Sequence, residues 1–299
     1  MKKVTIIGAN GYIGRNLVQW LRQKDDSELY LYGRADEQAD HVPDYTKVDM
    51  LQSADLHLIN LQSDVIFMLA GKTGSMSGFD DYEAFIDANE KTLLNLLAEY
   101  RRQGSTARIV FPSTRLVYAG SKKTLNEEAA KLFHTVYAVN KWACEKYLEQ
   151  FHHAFGIEYS IFRICVPYGS LVAGCSSYGT ASFMLNRACQ GQPITLYGDG
   201  EQRRTLTYIG DVCRILVEGA FSGTCADDVF NIGGETFSLR EMAEMIAAKY
   251  EVPVQYMPWP DLAKKIESGS TVFDATKLEA TLGREEHYMR FADWLAKHN

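Results

Sequence analysis

The chain has 299 residues, 46% of them apolar, which is enough to bury one large core or two modest ones, and its net charge of −7 without a basic stripe disfavours a nucleic-acid partner. It has no run of 18 apolar residues that could span a membrane, and Met1-Lys2-Lys3 leads into too short an apolar run for a secretion signal, so a cytoplasmic protein is expected. Cys144, Cys165, Cys175, Cys189, Cys213 and Cys225 form no CxxC pair, which predicts reduced core thiols and no metal site.

In chain order the first half alternates short apolar runs with amphipathic stretches. KVTIIG reads as a strand, YIGRNLVQWLRQ as a helix, and ELYLYG and VIFMLAG as strands. A long helix from about Phe79 to Gln103 closes on Gly104, followed by the strand RIVFPS, a helix through FHTVYAVNKWACEKYLEQF and the strand EYSIFRI. Strands apolar on both faces and joined by helices predict a parallel sheet covered on both sides. After Pro167 the pattern changes. YGSLVAGCSSYG reads as loop, a helix near Ala181 to Cys189 ends at Gly191, GDGEQRR is turn-rich, and the helix SLREMAEMIAAKY precedes a Pro-rich crossover, VPVQYMPWP.

Directly after the first strand comes Gly8-Ala-Asn10-Gly11-Tyr12-Ile13-Gly14, opening into a helix. The first glycine permits a tight turn, the second lets backbone approach a pyrophosphate at the positive end of the helix, and the third allows close packing. This is the entry to a dinucleotide-binding α/β fold. About 20 residues further on, where an acid would hold the ribose hydroxyls of NAD, the chain has Gly33-Arg34, with Asp36 close by. A cation without an acid beside it suits a 2′-phosphate, so NADP is expected, with NAD as the alternative.

Tyr137 and Lys141 lie one turn apart on a predicted helix. An ammonium near a phenol stabilises the phenolate and lowers its pKa toward neutrality, where the group can donate and accept protons. Tyr-x-x-x-Lys also occurs on the wet faces of ordinary helices, so its meaning depends on context.

Taken together these motifs resemble the extended short-chain dehydrogenase/reductase family, the nucleotide-sugar epimerases, dehydratases and ketoreductases. The likeness runs nearly end to end. The GxxGxxG spacing of Gly8 to Gly14 matches the family's cofactor loop, Asp49-Met50 its adenine-contacting pair, Leu69-Ala70-Gly71 its strand end, and Asn89 its helix Asn. PSTRLVY, residues 112–118, resembles the segment that carries the catalytic hydroxyl, here Thr114, and Tyr137 and Lys141 fall where the family has its proton-transfer pair. LYGDGEQRRTLTYIGDV, residues 196–212, is similar to a substrate-lobe segment in which Arg204 takes the place of an arginine that binds the substrate diphosphate; Lys72 is a further expected substrate contact.

The resemblance implies a Rossmann-type doubly wound parallel sheet with a smaller C-terminal α/β substrate lobe. Residues 1–166 would form the dinucleotide-binding domain, segments about 206–232 would return to it, and residues 167–299 would be mainly the substrate lobe. It also implies a homodimer and a nucleoside-diphosphate sugar as ligand. In the implied mechanism Tyr137 exchanges the proton, Lys141 tunes it and holds the nicotinamide ribose, and Thr114 orients the reacting oxygen.

Departures from the family narrow the reaction. The 4,6-dehydratases carry Asp-Glu after the catalytic threonine, where this chain has Arg115-Leu116, so dehydration is not expected. Enzymes that invert C3 and C5 use a Cys at the Leu116 position and a His beyond the YG turn, and both are missing. Val166, Met68 and Thr205 replace the usual Asn, His and Asp. Redox at one carbon is left, first as reduction of a 4-keto sugar with NADPH, and alternatively as 4-epimerisation with retained NAD. A non-catalytic NADP-sensing protein on the same fold is the third possibility, and the presence of both Tyr137 and Lys141 speaks against it.

Overall fold

The computed structural model of the chain describes residues 1–175, 179–283 and 285–297. The first strand, β1 (Lys2–Ile7), leads through the glycine loop into α1 (Tyr12–Lys24) and then β2 (Ser27–Gly33), β3 (Tyr45–Lys47) and β4 (Val65–Met68). Next come α2 (Tyr82–Ile86), a π turn (Asp87–Lys91) and α3 (Thr92–Gln103), one continuous helical rod, then β5 (Arg108–Thr114), α4 (Val136–Phe155) and β6 (Tyr159–Ile164). The remainder comprises β7 (Val166–Tyr168), α5 (Thr180–Cys189), β8 (Ile194–Tyr197), β9 (Arg203–Tyr208) and α6 (Ile209–Phe221). It continues with β10 (Asp228–Asn231), β11 (Glu235–Ser238), α7 (Leu239–Tyr250), β12 (Val254–Met257), α8 (Asp261–Ile266), α9 (Thr276–Leu282) and α10 (Phe291–Lys297).

Seven strands form one sheet in the order β10-β6-β5-β4-β1-β2-β3, parallel at every pairing. Both faces are buried, which is why these strands read as unbroken apolar runs. One face packs Val4, Ile6, Phe67 and Phe162 against Leu17 of α1 and Leu216 of α6. The other packs Ile7, Ile66 and Phe111 against Leu93 and Leu97 of α3 and Leu148 of α4. Strand order reverses at β1, between β2 and β4, and a crevice opens there at the carboxyl ends of the strands. A third apolar cluster, around Tyr168, Met184, Leu196, Met242 and Phe291, lies beneath the small sheets β11-β9-β7 and β12-β8.

The expected elements differ from the structure in detail. The helix expected from Phe79 starts at Tyr82, because Asp81 before it has a non-helical backbone, φ −131° and ψ 42°. The crossover expected over VPVQYMPWP contains β12, which pairs in parallel with β8, and β3 is a three-residue strand too short to show a period. Part of the loop expected over YGSLVAGCSSYG lies outside the described residues. Five of the six cysteines are buried, Cys189 is exposed, and all are free thiols. No described helix is long and apolar enough to cross a membrane.

Behind the crevice, β5, β6 and α4 are joined by a buried polar network. Arg163 of β6 donates to Glu145 of α4 from Nη2 at 2.6 Å and from Nε at 3.1 Å, and Ser113 of β5 donates to the same carboxylate. Arg163 Nη1 also donates to the Tyr118 hydroxyl at 2.6 Å, which in turn donates to Asn231 of β10 at 2.7 Å. Burial alone would lower the Arg163 pKa, but the Glu145 carboxylate reverses that and raises it. Removing one member leaves the other charge buried and unpaired, so Arg163→Met should lose about 3–5 kcal/mol of stability in urea denaturation. Adding Glu145→Leu to that variant should restore part of the loss. Strictly additive losses would show that the two charges do not act as a pair.

Candidate active site

Two local caps position Thr114, Tyr137 and Lys141. Strand β5 ends on Thr114, whose hydroxyl accepts the Leu116 N–H at 3.3 Å and so closes the short turn Arg115–Val117. Helix α4 opens on Thr135, whose hydroxyl accepts the Ala138 N–H at 3.1 Å, which sets Tyr137 and Lys141 in its first two turns. The Tyr137 phenol and the Thr114 side chain border the same cavity and interact. Lys141 is only 8% exposed, its Nζ donates to the Pro112 carbonyl at 2.8 Å, and it lies 4.1 Å from the centre of the Phe111 ring.

The electrostatics correct one expectation. Burial pushes the Tyr137 phenol above its ordinary range, and the Thr114 side chain opposes this only in part. The ammonium is turned onto Pro112, so the expected acidification of the phenol by Lys141 is not found. Lys141 itself is pulled down to about 8 by burial, against the opposing pull of Cys144 and of the Glu145 carboxylate.

These groups border a cavity of about 580 Å³, a size suited to small-molecule binding. Gly11, Tyr12, Ile13 and Gly14 border it from the first turn of α1, Leu69 and Gly71 from the end of β4, and Asn89 from the π turn. Thr114, Arg115, Cys165 and Val166 form the side toward β7. The chain is packed backbone to backbone at the entrance. Gly8 has φ +97° and a Cβ there would stand 2.6 Å from the Ala70 nitrogen, while one on Gly14 would stand 2.2 Å from the Gly8 oxygen. A helix N-terminus approached this closely by backbone, with unpaired first-turn N–H groups facing a cavity, fits a dinucleotide pyrophosphate.

The profile of the NAD dependent epimerase/dehydratase family matches residues 4–233. The chain belongs to that family. It is therefore an enzyme of the nucleotide-sugar group of short-chain dehydrogenases and reductases. A UDP-glucuronate 4-epimerase of Thermodesulfobacterium geofontis is 27% identical over 184 residues, 60% of this chain and 55% of that one. A UDP-N-acetyl-alpha-D-glucosaminuronate decarboxylase of Bacillus cytotoxicus is 24% identical over 258 residues, 82% of this chain and 79% of that one. Among solved structures, the UDP-glucuronic acid 4-epimerase of Bacillus cereus, in complex with UDP-glucuronic acid and NAD, superposes with a TM-score of 0.83 at 21% identity, covering 98% of this chain and 96% of that one.

Within this family frame, several residues expected at the site are engaged elsewhere. The Arg204 guanidinium is 1% exposed and donates to Glu267 at 2.6 Å and to the carbonyls of Gly269 and Arg203, so it is not a free fork facing the cavity. The Lys72 ammonium pairs with Asp81 outside the cavity wall. Asn10 staples the glycine loop to the segment after β2, donating to the Glu37 carbonyl at 2.9 Å and accepting the Ala39 N–H at 2.8 Å. Asp49 caps Leu51, Met50 is buried with its carbonyl held by Asn95, and Ala70 packs under Gly8. Arg34 is exposed at the end of β2, beyond the cavity wall. Asn89 does reach the cavity, with its amide paired both ways to the Lys72 backbone at 3.0 Å.

Sequence inspection missed Glu145, Arg163 and Asn16 as site-forming residues. A signal existed for the first two: Glu145 is four residues beyond Lys141 on one helix, and Arg163 is a lone charge inside an apolar strand. Asn16, buried on α1, accepts the Leu171 N–H at 2.6 Å and so ties the glycine-loop helix to the segment after β7. No pattern in the chain announces that bond.

With Tyr137 as the expected proton carrier, Tyr137→Phe should abolish turnover and leave dinucleotide affinity within a few-fold; near-parental rates would end that assignment. Lys141 has its own signature. Its folded pKa of about 8 lies below the ordinary 10.5, so its charge opposes folding fully below pH 8 and progressively less up to 10.5. Lys141→Met should therefore gain about 2–3 kcal/mol in urea denaturation at pH 7, a gain that shrinks toward pH 10.

Proposed function

We propose that the chain is a UDP-sugar 4-epimerase that retains NAD through its cycle. The observation that carries this is the chemistry of the cavity wall. Tyr137, Thr114 and Lys141 are its proton-handling and orienting groups, and no Asp, Glu or His is among its described lining residues. Elimination of water, or deprotonation of a ring carbon, needs a further acid or base. Redox at a single carbinol needs only one proton carrier. The nicotinamide, when bound, supplies the hydride acceptor and donor. Tyr137, in its phenolate form, takes the proton of the sugar hydroxyl and returns it to the ketone oxygen, Thr114 holds that oxygen, and Lys141 is fixed in the same wall by Pro112.

The UDP-glucuronate 4-epimerase relative and the neighbour complexed with UDP-glucuronic acid and NAD support UDP as the nucleotide, position 4 as the reacting carbon and NAD as the cofactor. Gly33-Arg34 favours a second reading, reduction of a 4-keto sugar with NADPH, since the exposed Arg34 could meet a 2′-phosphate while Asp36 pairs with Lys47 at 2.6 Å. The two readings separate by stoichiometry. An epimerase given a UDP-sugar and catalytic NAD should yield the C4 epimer, followed by proton NMR, with no net change in absorbance at the nicotinamide band. Consumption of one NADPH per 4-keto sugar, lost when Arg34→Ala weakens NADPH but not NADH, would favour the reductase and overturn the epimerase.

A further inference from the structure

Arg115 is the first residue after the catalytic threonine and borders the same cavity as Thr114 and Tyr137. Among the described residues its guanidinium makes one hydrogen bond, from Nη1 to the Ser268 hydroxyl at 3.1 Å, and no carboxylate lies within 4.0 Å of it. The carboxylate of that corner, Glu267, is already engaged by Arg204 at 2.6 Å and by the Gly269 N–H at 3.0 Å. That corner therefore holds two guanidiniums and one carboxylate, which among the described residues is paired with Arg204 alone. Burial, and then repulsion from Arg204, draws Arg115 down to about 10, so it remains charged at neutral pH. The other cation of the wall, Lys141, is held by Pro112. Arg115 is thus the wall residue with surplus charge and donors to spare, since a guanidinium offers five N–H groups in a planar fork.

We infer that Arg115 is a specificity residue that pairs with a carboxylate carried on the sugar ring of the substrate. The inference rests on the nucleotide-sugar reading above and adds the class of sugar. A diphosphate is the other anion such a substrate carries. Two features favour the carboxylate. The corner has one positive charge in excess, which matches a single carboxylate rather than a doubly charged diphosphate. Arg115 is also joined directly to Thr114, so it stands at the end of the sugar where the reacting oxygen is held, whereas the diphosphate leaves from the opposite side of the ring.

The test uses NAD-loaded protein, with UDP-glucuronate, UDP-glucose and UDP as probes in calorimetric titration, and epimerisation of both sugars followed by NMR. UDP-glucuronate should bind at least ten-fold more tightly than UDP-glucose. Arg115→Gln should weaken UDP-glucuronate by roughly 10–100-fold while changing UDP-glucose and UDP by less than about two-fold, the size expected for one charge-assisted fork. Arg115→Lys should recover part of the loss, having the charge without the fork. A merely structural role for Arg115 would weaken all three probes together, and a diphosphate role would weaken UDP as much as UDP-glucuronate; either result overturns the assignment. If the parent protein binds none of the three, the nucleotide-sugar reading itself fails and the assignment falls with it, whereas tight binding of UDP-glucose with no preference for the acid refutes the carboxylate alone.

Discussion

The arrangement of the site depends on one buried charge pair, Glu145 with Arg163. Glu145 sits on α4 one turn beyond Lys141, Arg163 lies in the middle of the sheet on β6, and Ser113, the residue before Thr114, closes the triangle. Helix, strand and catalytic strand end are thereby locked at one mutual height. Apolar contacts carry no direction, whereas charge-assisted bonds in a dry setting fix both distance and angle.

The same dryness shapes the chemistry. Burial raises Tyr137 and lowers Lys141, so both are held closer to their neutral forms than in water. A neutral phenol donates well to a developing alkoxide, and a lysine near neutrality adjusts its charge to what is bound beside it. Among the described residues the wall holds no carboxylate or imidazole beside Tyr137.

What was legible in the sequence was whatever the backbone or a single helix dictates. Gly8 and Gly14 are readable because the close approach of β1, β4 and α1 leaves no room for a Cβ, and Tyr137 and Lys141 because a turn of helix fixes their spacing. The parallel sheet was readable because both of its faces are covered. The fate of Arg204 was not, since its partner Glu267 lies 63 residues away and the sequence does not show which charges will meet. Asn10 and Lys72 were likewise placed at the ligand by analogy, and each is held instead by a loop or a carboxylate that only the folded chain brings near. Arg115 was visible as a departure from the family pattern, but its lack of a partner is a property of three dimensions.

The π turn at Asp87–Lys91 carries a consequence for how this chain can change. One extra residue in a turn rotates everything after it by about 100° relative to everything before it. Phe85 and Asn89 are thus in phase with the loop after β4, while Leu93, Leu96, Leu97 and Tyr100 are in phase with the core. Deleting one residue would restore a regular helix and swing one of those two sets toward solvent. Removing the bulge without exposing apolar surface would therefore require one half of the rod to be rewritten at the same time.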